Sequence, residues 1–240
     1  MKAVIFAGGQ GTRLAPYNIV LPKPLVPLGD RPILDIVIQQ LAHHGFDRIV
    51  LSVGYLAELI EAYYRDGARR SARAEISFVR ESEPLGTCGP LALVPELTET
   101  FLVMNGDILT TLDYTKLVTY HHEQGGILTI ALSRRPVKID LGVVELDDRN
   151  VITRFVEKPT LHYRASMGIY VYEPAVLDFI EPGERLDFPE MVWRLLDAGK
   201  KVVGYPCDDY WLDLGSHEDY RKAQDEFEQM RARLLPGEPA

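Results

Sequence analysis

Apolar side chains recur along this 240-residue chain with two different periods, and the alternation between them lays out its elements. Val4, Ile5 and Phe6 form a short continuous apolar run, the pattern of a strand covered on both faces, and the run stops at a glycine-rich segment. Ile33, Leu34, Val37, Ile38 and Leu41 then recur at helical spacing up to Gly45, with Asp30 placed to cap that helix and Pro32 to lie in its first turn. A β-branched run over 47–53 predicts a second buried strand, residues 56–64 a helix, and residues 75–79 a third strand. The order βαβαβ is the signature of a parallel sheet with helices on both faces, an α/β fold.

Residues 80–90 are too rich in Gly and Pro for regular structure. A fourth strand is expected over 101–104, ending in Asn105-Gly106-Asp107, then a helix over 113–124 and a strand over 127–133. From Gly142 the character changes: 142–146, 151–157 and 165–172 read as successive strands joined by short turns, one of them Asp147-Asp148-Arg149-Asn150. A mixed sheet or a small antiparallel subdomain is expected there. Helices over 174–180 and 188–198 lead to a strand over 202–206, and a last helix opens with Ser216 as N-cap and Asp219 at the capping-box position. Neither a repeat nor a linker breaks the pattern, so the reading is one domain over 1–230 with a tail over 231–240 that is disordered from Leu235.

Composition excludes some partners. The net charge of −9 argues against nucleic acid and anionic membrane surfaces, which select a basic footprint. No apolar stretch approaches the roughly eighteen residues of a membrane span, and the N-terminus lacks a signal pattern, so a cytoplasmic protein is expected. Cys88 and Cys207 lie far apart, without metal-ligand spacing, and predict no disulfide framework. The pairs His43-His44 and His121-His122 sit at predicted helix ends, where a cation near the helix C-terminus is a simpler account than a metal. Arg69, Arg70, Arg73 and Arg80 read as a solvated face.

The chemistry concentrates after the first strand. Ala7-Gly8-Gly9-Gln10-Gly11-Thr12-Arg13 leaves bare backbone N–H groups at a strand's carboxyl end, which suits an anion. Arg13 adds a planar fork for phosphate oxygens, and Lys23 a point charge between Pro22 and Pro24. The segment is not a dinucleotide fingerprint, because Leu14 stands at the third glycine position, nor a P-loop, because no Gly-Lys-Ser/Thr closes it. Asp107 and Asp213 each end a strand-like segment, so the two carboxylates can converge at the ligand-binding edge of the sheet and hold Mg²⁺ together with phosphate oxygens.

Ala7-Gly-Gly-Gln-Gly-Thr-Arg-Leu with Pro22-Lys23-Pro24 resembles the signature of the sugar-1-phosphate nucleotidyltransferases. The resemblance continues in the family's order through Glu83-Pro-Leu-Gly-Thr-Cys-Gly-Pro, Asn105-Gly-Asp107, Leu141-Gly-Val-Val, Glu157-Lys-Pro, Phe188-Pro-Glu and Trp211-Leu-Asp213-Leu-Gly215, covering nearly the whole chain. The Glu-Pro-Leu-Gly-Thr stretch is most similar to the mannose-1-phosphate guanylyltransferase branch. The resemblance implies a Rossmann-like mixed, mostly parallel sheet flanked by helices, with a small sugar-binding β subdomain. Residues 1–135 would bind mainly nucleotide and 136–215 mainly sugar phosphate. It implies attack by a sugar-1-phosphate oxygen on the α-phosphorus of a nucleoside triphosphate, releasing pyrophosphate, with Mg²⁺ on Asp107 and Asp213.

By the same resemblance, Ala7, Gly8, Gly9, Gly11 and Thr12 cradle the triphosphate, Arg13 binds its outer phosphates, and Lys23 sits near the attacked one; Arg13 and Lys23 are the catalytic pair. Glu81, Pro84, Gly86 and Thr87 would line the base. Lys158 would grip the sugar phosphate, Glu157 the sugar hydroxyls, and Gly142, Ser166 and Gly168 would complete the sugar side. Ser166-Met167-Gly168 departs from the Asn-Ala-Gly of many relatives, which leaves the sugar open, and Asn18 stands where relatives often carry Thr.

The base can be argued from charge. A carboxylate only accepts, and guanine offers two adjacent donors where thymine or uracil offers one N–H flanked by carbonyls, so Glu81 favours GTP provided it faces the base. A mannose- or heptose-type sugar phosphate is favoured with it. The readings left open are a thymidylyl- or uridylyltransferase acting on glucose-1-phosphate, and a non-catalytic subunit that senses nucleotide sugars. Intact Arg13, Lys23, Asp107, Lys158 and Asp213 speak against the second, and Leu14 and Lys23 against a dehydrogenase. No hexapeptide repeat follows the final helix, so a β-helical extension is not expected. A homodimer is one assembly the reading allows.

Overall fold

In the computed structural model the described residues are 1–65 and 74–237. Arg69, Arg70 and Arg73 lie outside them, as do the last three residues of the predicted tail. The strands are β1 (Lys2–Phe6), β2 (Pro27–Leu28), β3 (Arg31–Pro32), β4 (Arg48–Val53), β5 (Glu75–Arg80), β6 (Phe101–Asn105), β7 (Ile108–Thr110), β8 (Leu128–Lys138), β9 (Val143–Leu146), β10 (Ile152–Val156), β11 (Thr160–Tyr172), β12 (Val202–Cys207) and β13 (Trp211–Asp213). The helices are α1 (Ile33–His43), α2 (Ala57–Arg65), α3 (Tyr114–Gln124), α4 (Phe188–Asp197) and α5 (His217–Leu234).

Among the described residues, seven strands form the central sheet in the order β12-β8-β11-β6-β1-β4-β5. β1 pairs in parallel with β4 and β6, as do β4 with β5 and β12 with β8, while β11 runs antiparallel between β6 and β8. The expected mixed, mostly parallel α/β sheet is therefore the architecture. Alternate residues of the continuous apolar runs point to opposite faces. Ala3 and Ile5 enter one core with Leu34, Val37 and Leu41 of α1 and Leu117 of α3. Val4 enters another with Leu91, Met191 and Leu195, the last two from α4. A third cluster seats α5, through Ala223, Phe227 and Leu234, on Leu28, Ile33 and Leu212.

Several boundaries differ from the sequence pattern. Helix α1 begins at Ile33 with Pro32 at its N-cap position and no side-chain cap. Asp30 is not the cap: it lies in the turn of the β2–β3 hairpin and accepts hydrogen bonds from Arg231 and, to a smaller effect, Arg31, which hold its carboxyl well below the usual range. Residues Pro174–Phe179 form a 3₁₀ turn rather than an α-helix. Strands β8 and β11 run on past the apolar pattern as an exposed ribbon, where Arg134, Arg135, Lys138, His162 and Arg164 hide the strand period. β9 and β10 form a two-stranded antiparallel sheet of their own, whereas the third strand expected after Gly142, within β11, joins the central sheet.

The histidines also find other roles. His121 is 1% exposed, with Nδ1 2.8 Å from Thr129 Oγ1 and Nε2 3.0 Å from Glu173 Oε1, and burial holds its pKa down. It is a satisfied core residue rather than a cation at a helix end. His44 does close α1, but burial lowers its pKa as well, and Nδ1 lies 3.2 Å from Thr115 Oγ1. Arg80 is not simply solvated: it pairs with Glu58 and lies 3.8 Å from Glu61. Both cysteines are free thiols.

The chain leaves β1 toward β4 on one side and later returns to β6 on the other. The strand order thus reverses at β1, which opens a crevice at the carboxyl ends of β1 and β6, the preferred ligand position in open α/β sheets.

Candidate active site

A cleft of about 620 Å³ lies in that crevice, walled by the residues that follow β1, β4, β5 and β6. Ala7, Gly8, Gly9, Gln10 and Gly11 form its floor. The loop is tied to the sheet by Ala7 N donating to Ser52 O (2.8 Å) and Tyr55 N donating to Gly8 O (3.1 Å). Gly8 can sit this low because Gly54 faces it: a β-carbon on Gly8 would stand 3.1 Å from the Gly54 nitrogen. Asn18 pins the loop from the other side, donating to Gln10 O at 3.0 Å. Gly11 turns with φ +59°, and a β-carbon there would press on the Lys23 stem at 3.0 Å.

Lys23 follows in a 3₁₀ turn set by Pro22 and Pro24 and is only 7% exposed. Its Nζ forms an ion pair with Asp107 Oδ2 and lies 4.0 Å from Asp213 Oδ1. The two aspartates arrive from β6 and β13, held together because β13 pairs with β7 and Leu214 N donates to Asp107 O at 3.1 Å. Burial, and next the Asp107 charge, push the Asp213 carboxyl up, while Lys23 and Arg13 pull it down. Asp107 Oδ1 is buried with no hydrogen-bond partner among the described residues. The Arg13 guanidinium lies over Gly215, about where a β-carbon on that glycine would stand 3.1 Å away.

The opposite wall is the loop after β5. Glu81 lines the cleft, but its carboxylate also braces the protein, accepting from Ser52 Oγ (3.2 Å) and Leu85 N (3.0 Å). Pro84, Gly86 and Thr87 line the same wall. Thr87 is used internally: Asp187 Oδ1 accepts from Thr87 N at 3.2 Å, and Thr87 Oγ1 accepts from Phe188 N, the first amide of α4, at 2.7 Å. Thr12 is exposed in its own 3₁₀ turn and is absent from the cleft wall.

The residues expected on the sugar side fall into two groups. Gly168, at an irregularity in β11, packs against Asn105 of the cleft, and its N–H donates to Ser166 Oγ at 3.3 Å. Gly142 and Glu157 meet at the base of the β9–β10 hairpin, where a β-carbon on Gly142 would stand 3.1 Å from Glu157 Oε2. Lys158 follows, exposed and with φ +45°. None of Gly142, Glu157 and Lys158 lines the cleft itself.

Residues 2–230 match the family described as Nucleotidyl transferase. The chain belongs to that family. It is 36% identical over 241 residues to a UTP–glucose-1-phosphate uridylyltransferase of Synechocystis, covering 93% of this chain and 62% of that protein. It is also 36% identical over 233 residues to a mannose-1-phosphate guanyltransferase of Schizosaccharomyces pombe, covering 92% and 62%. The chain thus spans about 62% of the length of these curated relatives. Among solved structures it resembles HddC from Yersinia pseudotuberculosis complexed with GMP-PN, at TM-score 0.71 and 27% identity, over 94% of this chain and 99% of that one. The resemblance to sugar-1-phosphate nucleotidyltransferases carried by the motifs therefore stands.

The cleft also contains residues to which the sequence reading gave no site role. Gly54 and Tyr55 follow β4 as Gly8 follows β1, so the same signal, a glycine at a strand's carboxyl end, marks them. Phe6, Pro24, Ser82, Glu83 and Asn105 also line the cleft, and Gln10 lies in its floor. Asp187 carries no local signal, because its contact with Thr87 spans 100 residues.

Proposed function

We propose that the chain transfers a nucleotidyl group from a nucleoside triphosphate to a sugar-1-phosphate, releasing pyrophosphate. The observation that carries this is the buried Lys23 held between Asp107 and Asp213 at the mouth of the glycine loop. Both reactants are polyanions, so the protein's part is placement and charge neutralisation. The N–H groups of the loop from Gly8 to Gly11 receive phosphate oxygens, Arg13 neutralises the departing pyrophosphate, and Lys23 the attacked phosphate. Asp107 and Asp213 would hold Mg²⁺, which supplies charge neutralisation and orientation of phosphate oxygens when bound. The unpartnered Asp107 Oδ1 and the two facing carboxylates fit that donor set.

GTP with a mannose- or heptose-type sugar phosphate is the favoured pair. Its support is the guanyltransferase relative, the GMP-PN complexed with the similar HddC, and Glu81 on the cleft wall. The second reading, UTP with glucose-1-phosphate, draws on the uridylyltransferase relative and on the two hydrogen bonds that already occupy the Glu81 carboxylate. No helix of the described residues is long and apolar enough to cross a membrane, and a cytoplasmic setting, rich in triphosphates, belongs to this proposal. The test is pyrophosphate release with GTP, UTP and dTTP against a panel of sugar-1-phosphates. Turnover only with UTP or dTTP rejects the guanylyl assignment, and nucleotide binding without turnover on any pair rejects the enzyme.

A further inference from the structure

The motif Phe188-Pro-Glu has no place in the chemistry above, yet it sits where the two halves of the site meet. On one side, Asp187 and Phe188 hold the cleft wall. The first free amide of α4 is capped by Thr87 Oγ1, a hydroxyl from another segment, and Asp187 returns the bond by accepting from Thr87 N. Asp187 is the N-cap residue of α4 but makes no side-chain cap of its own, so its carboxylate is committed to the wall. Leu186 N donates to Leu85 O at 2.9 Å, and Leu186 O accepts from Cys88 N at 2.9 Å, which fastens the same segments through the backbone. There is no slack at Gly86, where a β-carbon would stand 2.6 Å from Leu186 O.

On the other side, the Phe188 ring stacks on Tyr170, with centroids 4.0 Å apart and planes 23° from parallel. Tyr170 is 6% exposed and lies in β11 four residues after Ser166, across the irregularity that contains Gly168. Its hydroxyl accepts from Ser166 Oγ at 3.3 Å, and that oxygen accepts from Gly168 N. Gly168 packs on Asn105, which lines the cleft. A continuous chain of contacts thus runs from Gly86 and Thr87 through Asp187, Phe188 and Tyr170 to Ser166 and Gly168. Here Ser166 spends its hydroxyl on Tyr170 rather than leaving it free for a ligand.

We propose that Asp187, Phe188 and Tyr170 are positioning residues that hold the nucleotide-side wall and the β11 irregularity in one register, so that each substrate's fit depends on the other side's geometry. Which substrate meets which wall rests on the nucleotidyl-transfer reading, but the linkage itself is a property of the free protein. Aromatic stacking and a charge-assisted hydrogen bond are interactions with a definite geometry, which suits them to fix relative position.

The test compares the wild type with Asp187→Ala, Asp187→Asn, Phe188→Leu and Tyr170→Phe, first without ligand. In Phe188→Leu, amide hydrogen exchange is expected to accelerate at both 86–88 and 166–168, while β1 and β4 keep their protection. In Asp187→Ala the acceleration falls at 86–88, and Asp187→Asn, which keeps an acceptor for Thr87 N, restores protection. Calorimetry with GTP, UTP and mannose-1-phosphate follows. Asp187→Ala is expected to weaken the bound nucleotide roughly tenfold, within the range for residues that modulate a site without touching the ligand. Tyr170→Phe is expected to weaken the sugar phosphate and leave the nucleotide within about twofold. Should Phe188→Leu loosen only the residues around position 188, the linkage is wrong, whatever the turnover. Should exchange change on both sides while no pair of substrates turns over, the linkage stands and the activity reading fails. Asp187→Asn also guards against a folding defect, since it is isosteric and keeps the acceptor.

Discussion

A lysine with 7% exposure is costly to keep charged unless its charge is met, and Asp107 and Asp213 meet that of Lys23. This is the arrangement a polyanionic reaction needs: a fixed cation that no solvent must reorganise around. Lys23→Met is expected to reduce turnover on the order of 10²-fold, the scale for one preorganised charge stabiliser, as measured by pyrophosphate release. A loss below about fivefold would remove Lys23 from the chemistry. Asp213 gives a second expectation with a definite sign. Burial and Asp107 raise its carboxyl above the ordinary 3.8, so the folded protein holds that proton more tightly than the unfolded chain. The stability this contributes is present in acid and is lost as pH rises from 3.8 through the raised value. If Asp213 holds Mg²⁺ as proposed, activity moves the other way, since that role needs the carboxylate. Asp213→Asn should therefore flatten the acid-side dependence of the melting temperature, leave neutral-pH stability unreduced, and weaken the magnesium dependence of turnover more than the affinity for sugar phosphate. An unchanged magnesium titration would show that Asp213 is not a ligand.

At the scale of elements, α5 shows what holds the Asp213 end of the site. Its N-terminus was legible from neighbouring residues: the predicted N-cap Ser216 accepts through Oγ from Asp219 N at 3.2 Å and donates to Asp219 Oδ2 at 2.6 Å, so the Asp219 carboxylate meets the cap's hydroxyl rather than its N–H. Packing outweighs the cap, however. Phe227 is 1% exposed and lies against Gly29, where φ is +60° and a β-carbon would stand 2.5 Å from Phe227 Cε1. Ser216→Ala is expected to cost about 1 kcal/mol. Gly29→Ala, which adds both left-handed strain and overpacking, is expected to cost on the order of 2–4 kcal/mol. Denaturant unfolding of the two variants checks the order; equal losses would mean that the cap matters as much as the seat. The contrast also explains which elements could be read from sequence. The buried runs of β1, β4 and β6 and the capping box are local signals. Asp30 carried an equally good local signal for a cap, but the β2–β3 hairpin claimed it. Likewise the glycine loop could be read because a strand end and its glycines are adjacent in sequence. The bracing of Thr87 by Asp187 could not, because only the fold brings residues 100 positions apart together.

On the scale of the whole molecule, the glycine-loop cleft and the hairpin side are built to different standards. The cleft is lined by the ends of strands buried in the seven-stranded sheet, with Ala3, Val4, Ile5 and Val103 fully buried. The β9–β10 hairpin, which carries Gly142 and Glu157 at its base, is a two-stranded sheet of its own that leaves Val144, Leu146, Ile152 and Phe155 exposed. A two-stranded ribbon is marginally stable at best in water, and local opening costs least where few apolar contacts are buried. Amide exchange over 143–156 is therefore expected to be the fastest among the strands of the free protein, well ahead of β1, β4 and β6. If Gly142, Glu157 and Lys158 hold the sugar phosphate, they do so from outside the cleft wall, so the ligand would bridge the cleft and the base of the hairpin. Mannose-1-phosphate added together with nucleotide should then slow exchange over 142–158, whereas nucleotide alone should protect the glycine loop and leave the hairpin as it was. Protection of the hairpin by nucleotide alone would place it against the triphosphate instead, and no protection by either ligand would leave Ser166, Gly168 and Asn105 as the sugar side by themselves.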